Sequence, residues 1–312
     1  TTAVVNDASA APAVDSTNAT EQPKHDEAPL LKDESVTPSA PVKPYDALLA
    51  DLDAILKEAD YDEVYGLKLS PSGDLHTSVI LQKFLRANAN DLAKAKEQLL
   101  ATLKWRKEYQ PLKAIEEVFS KERFGGLGYV VKVQELPSGG PGVVTFNVYG
   151  SAKGKEEATF GDLDGFLRWR IGLMELGLSH VLADLKSGAK TDPVPDYGAG
   201  PDPYQGIQVH DYLNISMLRQ NSYTKAATGK IIPLFSKHYP ETMAKKFFVN
   251  VAVLAAWIFP VIKLMMPKET AKKLFMLSYG TELTKEVGKG IPKAYGGEAD
   301  SLEVIGETLK LE

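Results

Sequence analysis

The segment FFVNVAVLAAWIFPVIKLMM, residues 247–266, limits the possible folds more than any other stretch of this chain. It has about the length needed to cross a bilayer. Asn250 and Lys263 interrupt it, and Pro260 breaks it. Its first residues are aromatic and β-branched, so it reads as a buried strand followed by an apolar helix. A helix that is apolar nearly all round must be covered by protein core, a bilayer surface or a bound apolar ligand.

The rest of the chain can supply such a cover. It has 312 residues, 44% hydrophobic and 25% charged, which is the composition of a globular protein with one large domain or two modest ones. The net charge of -5 argues against bulk nucleic-acid binding, though it leaves room for a local basic patch at a membrane. There is no cysteine, which excludes disulfides, zinc thiolates, iron–sulfur clusters and thiol catalysis. The first residues, TTAVVNDASAAPAVDST, contain neither the basic nor the apolar region of a signal peptide. Residues 1–44, rich in Ala, Pro, Ser, Thr and acids, are expected to be a disordered tail.

From Tyr45 the pattern is helical. YDALLADLDAILKEA, TSVILQKFLRAN and DLAKAKEQLLATLKWRKEYQP predict three helices, the last capped by Asp91 and stopped at Pro111. GYVVKVQEL and GVVTFNVY predict a hairpin closed by PSGGP. A long helix, DLDGFLRWRIGLMELGLSHV, is followed by a Pro/Gly segment, KSGAKTDPVPDYGAGPDPYQ, expected to be a mobile loop. Then come strand GIQVHDYLN, a helix through TKAATGKIIPLFSKHYP, strand KFFVNV, the apolar helix, a short helix ETAKKLF, strand MLSYG, helix TELTKEVG and a closing AYGG loop. Strands alternating with helices imply an α/β fold whose later strands are parallel. The expected organisation is a tail at 1–44, a helical lobe at 45–124 and a sheet-containing lobe at 125–312.

Three places invite a functional reading. In GIQVHDYLN, alternation puts Ile207, Val209 and Asp211 on one face and Gln208, His210 and Tyr212 on the other. The His210–Tyr212 pair is either part of a hydrogen-bonded core or a ligand set for a metal or cofactor. In the long helix, Arg170 falls inside the apolar stripe of Phe166, Leu167, Leu173 and Met174, whereas Arg168 can pair with Asp164 one turn earlier. A guanidinium on an apolar face needs an anion. That anion is either an acidic residue in the core or a ligand's phosphate or carboxylate. In KKFFVNV, Lys246 shares a face with Phe248 and Asn250, and either meets solvent or reaches a ligand acid. No P-loop, dinucleotide fingerprint, HExxH or GxSxG is present, and the five histidines are scattered.

The chain resembles the CRAL-TRIO family of fungal phosphatidylinositol transfer proteins. The resemblance rests on FLRA at 84–87, LKWRKEY at 103–109, YPETMAKKFFVNV at 239–251, ETAKKLF and AYGG, and spans roughly residues 45–300. It implies a CRAL-TRIO fold: a helical N-terminal lobe plus a mostly parallel sheet flanked by helices, with an apolar ligand pocket. DEVYGLKLSP, TFNVYG, FLRWRIGLMELGLS, QVHDY and KKFFVNV look closest to the family's haem-binding fungal branch. Carried over by motif, Tyr212 becomes the tyrosinate ligand of a ferric haem b, His210 its neighbour, and Arg170 and Lys246 its polar contacts. The branch's tyrosine after FLRA is Asn88 here, so at most a polar contact survives there.

The same resemblance implies an inositol-lipid site. Two of its three expected residues are present, Glu241 of YPE and Lys273, while the third position is Ala89. Residues 253–266 would be a gating helix bent at Pro260, with Trp257, Ile258 and Phe259 entering a membrane interface. The expectation is a non-enzymatic, cytoplasmic haem b-binding protein, a haem sensor, store or stress-protective binder. It would contact the endoplasmic reticulum membrane peripherally, exchange phosphatidylinositol and bind no nucleic acid. Its rivals are a haem-free phosphatidylinositol transfer protein and a tyrosinate-haem peroxidase or catalase.

Overall fold

The computed structural model describes residues 42–216, 221–252, 259–260, 263–264 and 268–312. The expected tail, apart from its last three residues, lies outside the described residues, as do Trp257, Ile258 and most of the expected gating helix. No described helix is long and apolar enough to cross a membrane.

The N-terminal helical pattern becomes α1 (Pro44–Ala50), α2 (Leu52–Ala59), α3 (Leu75–Ala87) and α4 (Leu92–Tyr109). The single helix expected over the first leucine-rich stretch is divided at Asp51, whose N–H reaches back to both Ala47 and Leu49. Both halves still bury their leucines, Leu48 and Leu52, completely. Asp91 caps α4 by accepting the Lys94 N–H at 3.1 Å. The helix ends where Gln110 turns left-handed, φ 50°, ahead of Pro111.

Five strands form the central sheet: β1 (Gly128–Val133), β2 (Gly142–Val148), β3 (Gly206–Asp211), β4 (Met243–Val249) and β5 (Leu274–Met276). They lie in sequence order, β1–β2 antiparallel and the rest parallel. The expected hairpin and the parallel remainder are both present. β5 starts two residues before the MLSYG segment in which it was expected, directly after the short Lys268–Lys272 helix.

Helix α5 (Leu163–Val181) packs on one face of the sheet, and α6 (Ser222–His238) packs against α5. On the other face, Ile207, Val209, Phe247 and Val249 join Phe146, Leu283, Val287, Ile291 and Tyr295 in an apolar cluster. The helical lobe shares its own core with α5: Phe84, Leu99 and Leu103 pack with Ile171, Met174 and Leu178. An ion pair crosses this core, from Arg106 of α4 to Glu175 of α5 at 2.6 Å with both side chains wholly buried. Glu63 and the Tyr239 hydroxyl complete its hydrogen bonds.

Three local expectations are corrected. Arg168 pairs with Glu117, at 2.5 Å and 2.9 Å, and donates to the Tyr109 carbonyl, rather than meeting Asp164. The docked segment after α4 offers a bidentate carboxylate, which beats a one-turn pair exposed to solvent. The Pro/Gly segment after α5 is pinned rather than free. Arg86 donates to the carbonyls of Pro195 and Gly200, and the Tyr204 hydroxyl to that of Asp192. Asn250 does not share the face of Lys246. It takes φ 57° just beyond β4, and its amide turns to Asp211 at 2.8 Å on the opposite face.

Candidate functional site

Parallel pairing builds a polar block on the sheet face that meets α5. Thr145 lies beside Gln208, Asn147 beside His210, Gln208 beside Lys246, and His210 beside Phe248. Because alternate residues share a face, Thr145, Asn147, Gln208, His210 and Lys246 all point toward α5. Four of them, Thr145, Asn147, Gln208 and His210, are buried. A sheet face under a helix is ordinarily apolar, so this block needs an explanation.

Arg170 supplies the opposite wall. It is 2% exposed and has no acidic partner among the described residues. Its Nη2 reaches the Gln208 Oε1 only at 3.4 Å, and its guanidinium lies 4.7 Å from the Phe235 ring of α6. Nε and Nη1 have no hydrogen-bond partner. Burial holds the guanidinium below its ordinary basicity, with Tyr149 and Tyr239 partly offsetting this. Of the two explanations that the sequence left open, an acid in the core is not found here.

His210 and Tyr212 stand beside it. His210 Nε2 is buried without a partner. Burial keeps the imidazole neutral, well below its usual range, and the Lys246 and Arg170 charges reinforce this. Tyr212 follows the end of β3 and is held in register by its N–H to the Val249 carbonyl at 3.0 Å. Burial pushes its phenol upward, so with no metal present it is neutral. Lys246 keeps partial exposure, yet desolvation, with Arg170, brings its amine down to about 8.

Tyr149 completes the group and was not singled out from sequence. Its ring lies 5.4 Å from His210 and 5.6 Å from Tyr212. Phe248 lies 5.6 Å from His210 and 6.4 Å from Tyr212, and Phe259 lies 5.9 Å from Phe248. The only sequence signal for Tyr149 was the glycine after it. A Cβ on Gly150 would overlap the Leu213 carbonyl, so glycine lets the two tyrosine-bearing turns touch.

The structure therefore brings Tyr212, His210, Arg170 and Lys246 together. Asn88 stands apart: at the end of α3, its amide donates to the Phe84 carbonyl at 2.9 Å and to Gln98 at 2.7 Å. Glu241 and Lys273 make a second location, paired at 2.9 Å, with Gln205 donating to the same carboxylate oxygen. Beneath them lies Lys83, which the sequence reading passed over. Its wholly buried ammonium donates to Asp202 at 2.6 Å and to the carbonyls of Tyr204 and Glu241, fixing Glu241 at φ 51°. An open depression of 850 Å³ near Asp53, Asp62 and His76 is a poorer candidate. Its acids already pair with lysines: Asp53 with Lys57 and Asp62 with Lys68.

The donor set constrains any metal. Among the described residues no group of three or more His, Cys, Asp or Glu could hold an ion. One phenol and one imidazole are too few for a free transition ion, but suit iron already held by a macrocycle. The aromatic walls and two cationic side chains match an apolar plate carrying acids. The residues thus fit a haem.

Comparison with known proteins gives a consistent picture. Residues 44–101 match the CRAL/TRIO N-terminal domain and residues 203–297 the CRAL/TRIO domain. A phosphatidylinositol transfer protein SFH5 of Phaeosphaeria nodorum is 52% identical over 276 residues, covering 88% of this chain and 82% of that one. A phosphatidylinositol transfer protein sfh5 of Botryotinia fuckeliana is 44% identical, covering 86% of this chain but only 60% of its own. The crystal structure of Sfh5 superposes with a TM-score of 0.68 at 30% identity, covering 85% of this chain and 90% of the other.

Proposed function

The chain belongs to the CRAL/TRIO family, and we propose that within it the protein binds phosphatidylinositol and carries it between membranes. The observation behind this is the Glu241–Lys273 pair, at 23% and 17% side-chain exposure for Lys273 and Glu241. Lys273 offers a cation to a phosphate, and Glu241 offers acceptors to ring hydroxyls. The names of the relatives support the same lipid class. The role is carriage, not catalysis, with peripheral contact at the endoplasmic reticulum surface from the cytoplasm. The test is transfer of labelled phosphatidylinositol between vesicles by the wild type and by Glu241→Gln/Lys273→Gln. Transfer that the double variant abolishes supports the reading. Wild-type transfer no faster than spontaneous exchange refutes it.

A second reading, haem b in the interior site, is favoured by the partnerless polar atoms of Arg170 and His210. Tyr212 would hold the iron, with His210 beside it and Arg170 and Lys246 as contacts for the acid groups. Bound there, the group would supply ferric iron, which a phenolate stabilises over the ferrous state. In that reading Phe248 and Phe259 would shield the site from water, burial would keep His210 neutral, and Tyr212 would serve as an anionic donor once its phenol proton is lost. The test is the absorption spectrum of protein purified from cells given iron and a haem precursor, beside Tyr212→Phe. A Soret band altered in the variant supports haem. A colourless wild type rejects it and leaves the lipid reading standing.

A further inference from the structure

Lys246 is an unusual lysine. It stands on the middle of a sheet, between Gln208 of β3 and Leu274 of β5, not at a strand end in water. Its ammonium has neither a hydrogen-bond nor an ion-pair partner among the described residues, while the preceding Lys245 pairs with the Glu286 carboxylate at 3.0 Å. The groups facing it from the elements packed on it are Arg170 from α5 and Gln208 and His210 from β3. None is a carboxylate. Along its own strand comes Phe248, which leads to Tyr212 and Phe259.

We infer that Lys246 is an imine-forming site for apolar aldehydes, whose chains would lie along the Phe248, Tyr212 and Phe259 rings. The neutral Nζ attacks the carbonyl carbon and a C–N bond forms. The carbonyl oxygen leaves as water, taking both protons of the amine, and no oxidant or reductant is needed. A lysine becomes a nucleophile of this kind when it is desolvated beside another cation. Both conditions hold for Lys246, whose amine is lowered to about 8 first by burial and then by Arg170. At pH 7.4 roughly a fifth of such an amine is neutral, against roughly one part in a thousand for an ordinary lysine. The unpartnered His210 Nε2 lies on the same sheet face, one strand over, placed to pass a proton to the departing oxygen. The aldehyde would occupy the same interior site as the haem considered above, so the two ligands would exclude one another.

The experiment uses the full chain made in cells without haem precursor, in fractions with no Soret band. The protein is incubated with dodecanal at pH 7.4 and reduced with borohydride, and its lysines are compared by peptide mass spectrometry. Lys246 is expected to be alkylated tens of times faster than the exposed Lys132 and Lys285. Its labelling should reach half-maximum near pH 8, and Arg170→Met should move that midpoint upward. Lys246→Met should lose the adduct. Labelling of Lys246 no faster than that of Lys132 and Lys285, or a rise only above pH 10, overturns the inference. The wild-type measurement decides the matter even if a variant fails to fold.

Discussion

Replacing Arg170 with methionine should stabilise the ligand-free protein while weakening the interior ligand. The guanidinium is 2% exposed, and two of its nitrogens, Nε and Nη1, have no partner. Each buried unsatisfied donor costs about 1–3 kcal/mol, so the ligand-free fold carries about 2–6 kcal/mol of strain at this residue. Against that stand a long 3.4 Å hydrogen bond to Gln208 and the contact with Phe235, together about 1–2 kcal/mol. Methionine fills most of the volume and keeps a ring contact. The net expectation is a gain of about 1–3 kcal/mol, a rise of roughly 2–8 °C in melting temperature for a domain this size. The loss of ligand should be larger, about 2–5 kcal/mol, because a desolvated acid would be left unpaired. Urea unfolding of ligand-free wild type and Arg170→Met gives the first number, and ligand titration the second. An Arg170→Met protein less stable than wild type by more than about 1 kcal/mol would refute the reasoning. It would mean that Arg170 is paid for within the fold and needs no ligand.

Lys83→Met should cost about 3–5 kcal/mol, because it leaves Asp202 charged and wholly buried. Lys83→Met with Asp202→Leu should recover much of that loss in urea unfolding, and no recovery would count against a charge-pair explanation. His238, stacked 4.3 Å from Trp105, is lowered to about 4 chiefly by burial. Its neutral form is therefore favoured in the fold, so its contribution is present above pH 6.5 and is lost as pH falls from 6.5 toward 4. His238→Gln should lose about 1 kcal/mol less than wild type between pH 7 and pH 5, after discounting for partial solvent contact. Equal losses in unfolding midpoints would contradict this. Asn88→Ala should cost about 1 kcal/mol of stability and leave interior ligand affinity unchanged, since the Asn88 amide is engaged by Phe84 and Gln98. A fall in affinity of tenfold or more would place Asn88 in the site after all.

What could be read from sequence was whatever depends on local period. Alternation alone put His210 and Tyr212 on one face and Ile207 and Val209 on the other, and the apolar cluster behind the sheet bears this out. Helical period exposed Arg170 as a charge on an apolar stripe. What could not be read depends on pairing across long separations. Tyr149 meets His210 only because β2 and β3 align Asn147 with His210. Lys83 looks like any helix lysine until Asp202, far along the chain, closes over it. Arg168 had a local partner in sequence and a better remote one in space. Asn250 was placed by alternation, which fails at the first left-handed residue after a strand.

The two candidate locations differ in a way that bears on how each would work. Glu241 and Lys273 already satisfy one another, so a headgroup must separate them before it gains anything. A partly exposed pair contributes only about 1 kcal/mol, so the exchange of partners is cheap in both directions, as a site that loads and unloads requires. Arg170 Nε and Nη1 and His210 Nε2 have no partner in the protein. Their desolvation is already complete in the folded chain, so a ligand with matching acids or metal gains contacts without first breaking any. Laying plain acyl chains over Thr145, Asn147, Gln208 and His210 would leave those polar groups as they are and gain nothing from Arg170. The interior floor therefore favours a ligand that brings a polar or reactive group to Arg170, His210 or Lys246, with any apolar part lying on the Phe248, Tyr212 and Phe259 rings.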